Sequence, residues 1–264
     1  MTESNSLFSS VPLHIVVFDL DETLGYFVEF GMFWSAIETF YGRTLTQIEF
    51  NDTLDIYPEF IRPDIIDVLA LLKIKKQQNK CSHIMIYTNN QGPKEWAISI
   101  QHYFEYKMQG PIFDRIIAAF KVNGKQIEMG RTSHNKTHDD FIKCTKLPPN
   151  SQICFIDDVY HEEMINDNVY YINVKPYVYD LPYEVLVQRY IEHHPEIESN
   201  KFNKHAMMHL ARYNHANVEK NLQEYGIDRI ITKQILQHIK TFFTKNRKRS
   251  NSGSSTTHKN NKDK

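Results

Sequence analysis

Five short apolar, β-branched runs recur along the chain, separated by longer stretches with helical spacing. The runs are Leu13–Phe18, His83–Thr88, Ile116–Ala119, Ile153–Ile156 and Val169–Val174. Helices are expected at Asp64–Gln78, Pro93–Tyr106 and Thr137–Thr145. Pro63 stands at the mouth of the first, and Pro93 opens the second after Gly92. Strands alternating with helices favour a parallel sheet covered on both faces. Residues 11–182 therefore read as one α/β domain, built on a doubly wound, Rossmann-like, parallel five-stranded sheet.

Ligands of such sheets gather beyond the carboxyl ends of the strands, and three of the five runs end in polar residues. VVFDLDETLGYF places Asp19 and Asp21 just past the first run. IYTNN ends the second in Thr88 and Asn89, and CFIDD ends the fourth in Asp157 and Asp158. Ahead of the fourth, SHNKTHDDF puts Lys136 immediately before a helix. One acidic strand end is ordinary and serves as a turn or a cap. Two of them, with a Thr and a Lys in this order, make a constellation. Carboxylates meeting in one crevice repel by ~4 kcal/mol per pair at about 4 Å and an effective dielectric near 20. Lys136 supplies one compensating charge, and a hard divalent cation with oxygen ligands supplies two. Mg²⁺ suits that description. Lys143 and Lys146 compete for the role of Lys136, but Lys143 falls in mid-helix.

This set resembles the haloacid-dehalogenase-like (HAD) phosphatases. DLDET matches their D-x-D-x-T signature, and Thr88, Lys136 and Asp157-Asp158 match the remaining motifs in order, over about residues 11–180. DLDETL and Arg62-Pro63 are similar to the branch of Fcp/Scp-type (NLI-interacting-factor-like) C-terminal-domain phosphatases. Asp64 stands where that branch usually has Gly, and no phosphopeptide-binding module follows. The resemblance implies Asp19 as nucleophile and Asp21 as general acid and then base, with the Asp21 backbone carbonyl on Mg²⁺. It implies that the Thr88 hydroxyl and the Asn89 backbone N–H hold phosphoryl oxygens, and that Lys136 offsets charge on the nucleophile and the transferring group. Asp19 would belong to the metal site, and Asp158 would ligate the metal directly. Asp157 would bind metal through water or pair with Lys136, and Thr23 would bond within its own loop.

The activity so implied is a Mg²⁺-dependent phosphatase with an aspartyl-phosphate intermediate, acting on phosphoserine or phosphothreonine in a protein. Roughly 47 residues between Thr88 and Lys136 leave no room for a large lid beside a strand and a helix. The alternatives are a phosphatase of small phosphomonoesters or polynucleotide ends, and a non-catalytic scaffold.

The remaining segments set the boundaries. Residues 1–10 are expected to be a flexible terminus. Residues 26–60 hold ten aromatics, with Phe33, Trp34, Ile37, Phe40 and Tyr41 at helical spacing. That insert either packs its rings on the core or forms a lip over a cleft. Residues 183–244 read as a helical extension with Ile227, Ile230, Ile231, Ile235, Ile239, Phe242 and Phe243 on one apolar face. Residues 245–264 read as a disordered basic tail. The tail carries seven Lys/Arg against one Asp, a charge of +6, which leaves −7 for residues 1–244. An acidic body does not suit nucleic acid, which only the tail is equipped to touch. No run approaches the ~20 apolar residues of a membrane helix. The three cysteines, Cys81, Cys144 and Cys154, are odd in number and scattered, unlike a disulfide framework, which points to an intracellular protein. His205 and His209 stand at i and i+4, but lack both the Glu of a zinc helix and a third ligand, and read as a polar helix face.

Overall fold

The first apolar run becomes β1 (His14–Phe18), in which Ile15 to Phe18 are completely buried, as suits a parallel strand covered on both faces. In the computed structural model, which describes residues 12–213, 215 and 220–252, β1 is the central strand. On one side lie β2 (His83–Tyr87) and β3 (Arg115–Ile117), followed by a separate small hairpin of β4 (Lys121–Val122) and β5 (Lys125–Gln126). On the other side lie β6 (Gln152–Asp157) and β7 (Val169–Asn173). The order β3-β2-β1-β6-β7 is parallel throughout. All five expected strands are present, with ends shifted by no more than two residues.

Helices α1 (Val28–Tyr41) and α2 (Gln47–Ile56) fill the 26–60 insert. The three expected helices follow as α3 (Ile65–Gln77), α4 (Lys94–Lys107) and α5 (His138–Thr145). The C-terminal region forms α6 (Tyr183–His193), α7 (Ser199–Leu210) and α8 (Leu222–Ser252). The chain leaves β1 for β2 on one side and later returns to β6 on the other. That reversal opens a crevice at the carboxyl ends of β1 and β6.

Alternation along the strands divides the interior. Val16, Phe18, Ile84, Ile86 and Ile156 face the larger core, while Ile15, Val17, Tyr87, Ile153 and Phe155 face a smaller one closed by Phe141 and Met164. The rings of the insert pack into the larger core: Phe30 meets Phe50 edge-on at 5.4 Å, and Trp34 meets Phe50 at 5.1 Å. Leu186, Val187, Tyr190, Phe202 and Leu210 of α6 and α7 join the same core. His205 and His209 lie against α1, where Thr39 Oγ1 is 3.0 Å from His205 Nε2 and 3.4 Å from His209 Nδ1.

Two expectations at the C-terminus are corrected. Ile235, Ile239 and Phe242 are buried, but Ile227 and Ile230 are exposed, and Asp228 and Thr232 occupy the buried positions one turn earlier. The buried stripe turns polar there because Asp228 accepts from Lys220 Nζ at 2.5 Å, and both Arg62 and Lys220 stack on the Tyr177 ring. The helix also continues to Ser252, so the first residues of the tail are helical rather than disordered. The flexible terminus expected at residues 1–10 and the rest of the tail, 253–264, lie outside the described residues. Cys81, Cys144 and Cys154 are buried free thiols. Among the described residues no helix is long and apolar enough to cross a membrane.

Glu29, in the first turn of α1, is fully buried. Its Oε2 accepts from the Leu181 backbone N–H at 2.7 Å and its Oε1 has no partner among the described residues. Burial pushes its pKa up to about 8 from an ordinary 4.5. Between those values the folded state holds one proton more than the unfolded state, so stability falls as pH rises through that window. Glu29→Gln is expected to remove this loss. Urea titrations from pH 5 to 9 should show a midpoint less dependent on pH in the variant, and higher than wild type at the alkaline end.

Candidate active site

The acid pairs sit at neighbouring strand ends because the β1–β6 register pairs Phe18 with Ile156. The Asp19 N–H donates to the Ile156 carbonyl at 2.8 Å, which fixes Asp19 beside Asp157. Lys136 arrives from the third direction. Thr137 caps α5, its hydroxyl oxygen accepting from the Asp140 N–H at 3.0 Å, so Lys136 precedes the first turn and reaches into the crevice. Its Nζ donates to Asp19 Oδ1 and, at 2.7 Å, to Asp157 Oδ2. Thr88 and Asn89 come from the end of β2. Together Asp19, Asp21, Thr88, Asn89, Lys136, Asp157 and Asp158 line one open cavity of about 220 Å³. Lys143 lines a different cavity, beside Asp139 and Glu163, and Lys146 is the C-cap of α5.

The electrostatics follow from burial. Lys136 and Asp157 are each 1% exposed and Asp19 7%. Burial alone would lower the Lys136 pKa, but the charges of Asp19 and Asp157 outweigh it and the ammonium is held protonated. Burial raises Asp19 and Asp157, with Lys136 opposing in both cases. One ammonium serves two buried carboxylates, and the pocket is left short of positive charge. Asp19, Asp157 and Asp158 each bring a carboxylate oxygen within 4.8 Å of the others, close enough for one ion to contact all three. An all-oxygen donor set with surplus negative charge fits a hard divalent cation.

Details divide the roles. Asp157 Oδ2 holds Lys136 and Oδ1 accepts from the Val159 N–H at 2.9 Å, so this carboxylate is the more constrained. Asp158 is the less buried, and its Oδ1 accepts from Thr23 Oγ1 at 3.1 Å. Thr23 was expected to bond within its own loop; it instead ties the β1 loop to the β6 loop, because the two strands are sheet neighbours. The Asp21 side chain stands outside the three-acid cluster. Burial raises its pKa, opposed by a hydrogen bond from Asn90 Nδ2 to Asp21 Oδ2 at 2.7 Å.

Five further residues shape the site. Asn90 orients Asp21, and its N–H donates to Thr88 Oγ1 at 2.9 Å, which leaves the Thr88 O–H able to donate into the cavity. The Gly92 N–H donates to Asn90 Oδ1 at 2.8 Å, and a Cβ there would crowd that oxygen, so the absence of a side chain gives the bond room. The TNNQG string contained that signal, although only its first two residues were read as the strand's polar end. His161 Nε2 lies 3.6 Å from Asp157 Oδ2; burial and the charges of Lys136 and Arg131 hold its pKa down to about 4, so it is neutral near pH 7. Two buried arginines clamp the loops. Arg62 donates to the carbonyls of Thr23, Glu22 and Lys175 at 2.6, 2.6 and 2.9 Å. Arg131 donates to Thr88, Ala118, His134 and Asn135, joining the threonine loop to the lysine loop. Nothing in sequence spacing marks these arginines as internal carbonyl donors.

Comparison with family models and with curated proteins returns no match.

Arg131→Lys keeps the charge but loses the planar fork that reaches four carbonyls. We expect it to cost about 2 kcal/mol of stability, read from chemical denaturation, with the site residues otherwise intact.

Proposed function

We propose that this chain is a Mg²⁺-dependent phosphatase of HAD type, forming an aspartyl-phosphate and acting on phosphorylated serine or threonine in proteins. The observation that carries the reading is the buried Lys136 ammonium shared by Asp19 and Asp157, with Asp21 and Thr88 lining the same small cavity. The DLDET resemblance supplies the family. The three-acid cluster of Asp19, Asp157 and Asp158 would hold the ion, which when bound offsets charge on the phosphoryl oxygens.

Asp19 attacks phosphorus, so one Asp–O–P bond forms as the bond to the leaving oxygen breaks. Asp21, which burial favours in its protonated form, gives its proton to that oxygen. Asp21, now a carboxylate held by Asn90, then takes a proton from water, which attacks the acyl-phosphate and regenerates Asp19. The Thr88 hydroxyl and the Asn89 backbone N–H donate to the phosphoryl oxygens, and Lys136 balances charge as it builds. An open cavity admits a protein segment more readily than a closed one would. A non-catalytic scaffold has no use for a buried lysine shared by two acids, whose desolvation costs stability.

Phosphate release from a small aryl phosphate and a phosphopeptide panel should require Mg²⁺ and vanish with chelation. Asp19→Asn should lower turnover by at least about 10³-fold, and Lys136→Ala by about 10²-fold or more. Asp21→Asn should affect poor alkyl leaving groups far more than aryl ones. Near-normal turnover by Asp19→Asn or Lys136→Ala would overturn the assignment.

A further inference from the structure

The phosphoryl cavity adjoins a much larger cleft of about 850 Å³ between the α1–α2 insert and α4, and the two share Asp21 and Asn90 as lining residues. On the phosphatase reading, Asp21 marks the leaving oxygen, so the cleft is where the rest of the substrate must extend. Its wall is aromatic, with Phe27, Trp34, Phe50 and Trp96. Its charged residues are acids. Glu38 and Glu95 line it beside Asp21, and the described lining contains no Lys, Arg or His. Glu95 is exposed in the first turn of α4, whereas Glu38 also accepts from the Leu45 N–H at 3.0 Å.

From this we infer that the cleft selects the leaving group by shape and charge. It takes a phosphorylated peptide with a bulky apolar side chain and a basic residue beside the phosphorylated position, and it rejects polyanions. The inference rests on the phosphatase reading and narrows its substrate. Most of the Phe27, Trp34 and Phe50 rings is packed in the core, but Trp96 and the exposed Val28 present apolar surface to the cleft, which suits a hydrophobic side chain. A polynucleotide end would bring one phosphodiester charge per residue into a trough of carboxylates that has no described cation to neutralise it. Acidic peptides meet the same repulsion. A basic side chain is instead drawn to Glu38 and Glu95, and that attraction weakens with salt. Lys136 and the three-acid cluster lie outside the cleft, which meets the phosphoryl cavity at Asp21 and Asn90.

The test uses the full chain with Mg²⁺ and four substrates: a small aryl phosphate, a phosphothreonine peptide with Leu and Arg neighbours, the same peptide with Glu for Arg, and a 3′-phosphorylated oligonucleotide. The basic peptide is expected to exceed the acidic one in kcat/KM by about tenfold at low salt, with the gap closing as salt rises. Glu95→Lys should shrink or reverse that gap. Ser35→Trp, which puts bulk on the α1 wall of the cleft, should lower the ratio of basic-peptide to aryl-phosphate kcat/KM by about tenfold. Equal turnover of both peptides overturns the inference while the phosphatase reading stands. Faster hydrolysis of the oligonucleotide overturns the inference and the protein-substrate part of that reading, and leaves the phosphatase chemistry. Failure on all four substrates, the aryl phosphate included, removes that reading and this inference with it.

Discussion

A single ammonium, that of Lys136, holds two buried carboxylates that would otherwise repel each other at the end of the central sheet. Such arrangements contribute little net stability, because desolvating three charges cancels most of their attraction. They persist only where geometry is fixed from several sides, and here it is. The β1–β6 register sets Asp19 beside Asp157, and a one-residue slip would turn every side chain of either strand to the opposite face. The Thr137 cap sets where α5 begins and hence where Lys136 projects. The parallel sheet, its crossover helices and the capped helix start are thus what keep this charge cluster assembled.

The loops that leave the strands pose the next problem, since their buried carbonyls need donors that neither helix nor sheet provides. Arg62 and Arg131 supply them, each guanidinium serving three or more carbonyls. Arg62 also connects the β1 loop to the C-terminal helices. It stacks on Tyr177 and feels the charge of Asp228 on α8. Residues that looked like an appendage in sequence also reach the central strand, where Phe242 of α8 meets His14 of β1 edge-on at 5.8 Å.

The strands were legible because buried parallel strands read as unbroken apolar runs, and the acids stood out because charge rarely follows such runs directly. The position of Asp19, Asp21, Thr88 and Asp157 at strand ends, with Lys136 just before a helix, together with the motif resemblance, leads to the expectation that they converge. The parallel topology places them around one cavity. Asn90, His161 and the two arginines were not legible. The roles of Asn90 and the arginines depend on contacts across 40 or more residues, as with Arg62 to Glu22 and Arg131 to Thr88, and no local spacing encodes those. His161 instead stands four residues from Asp157, in a loop without a periodic pattern. The apolar face of α8 was misread at its start for a related reason. Ile227 and Ile230 satisfy the helical period, but Asp228 and Thr232 take the buried side, where Lys220 donates to the Asp228 carboxylate and the Thr232 hydroxyl donates to the Asp228 backbone carbonyl.

Asp21 stands on the boundary between two environments, and that position shapes its chemistry. On one side is a polar cavity rich in acids, on the other a cleft walled by aromatic rings. Burial raises its pKa while the amide of Asn90 favours the ionised form. On the phosphatase reading, a substrate seated in the cleft would exclude more water and move the balance further toward the protonated acid, and departure of the leaving group would readmit water and move it back toward the base. On the phosphatase reading, occupancy of the cleft and the protonation state of Asp21 are therefore coupled through desolvation, and the insert that forms the cleft wall contributes to the chemistry as well as to the fold.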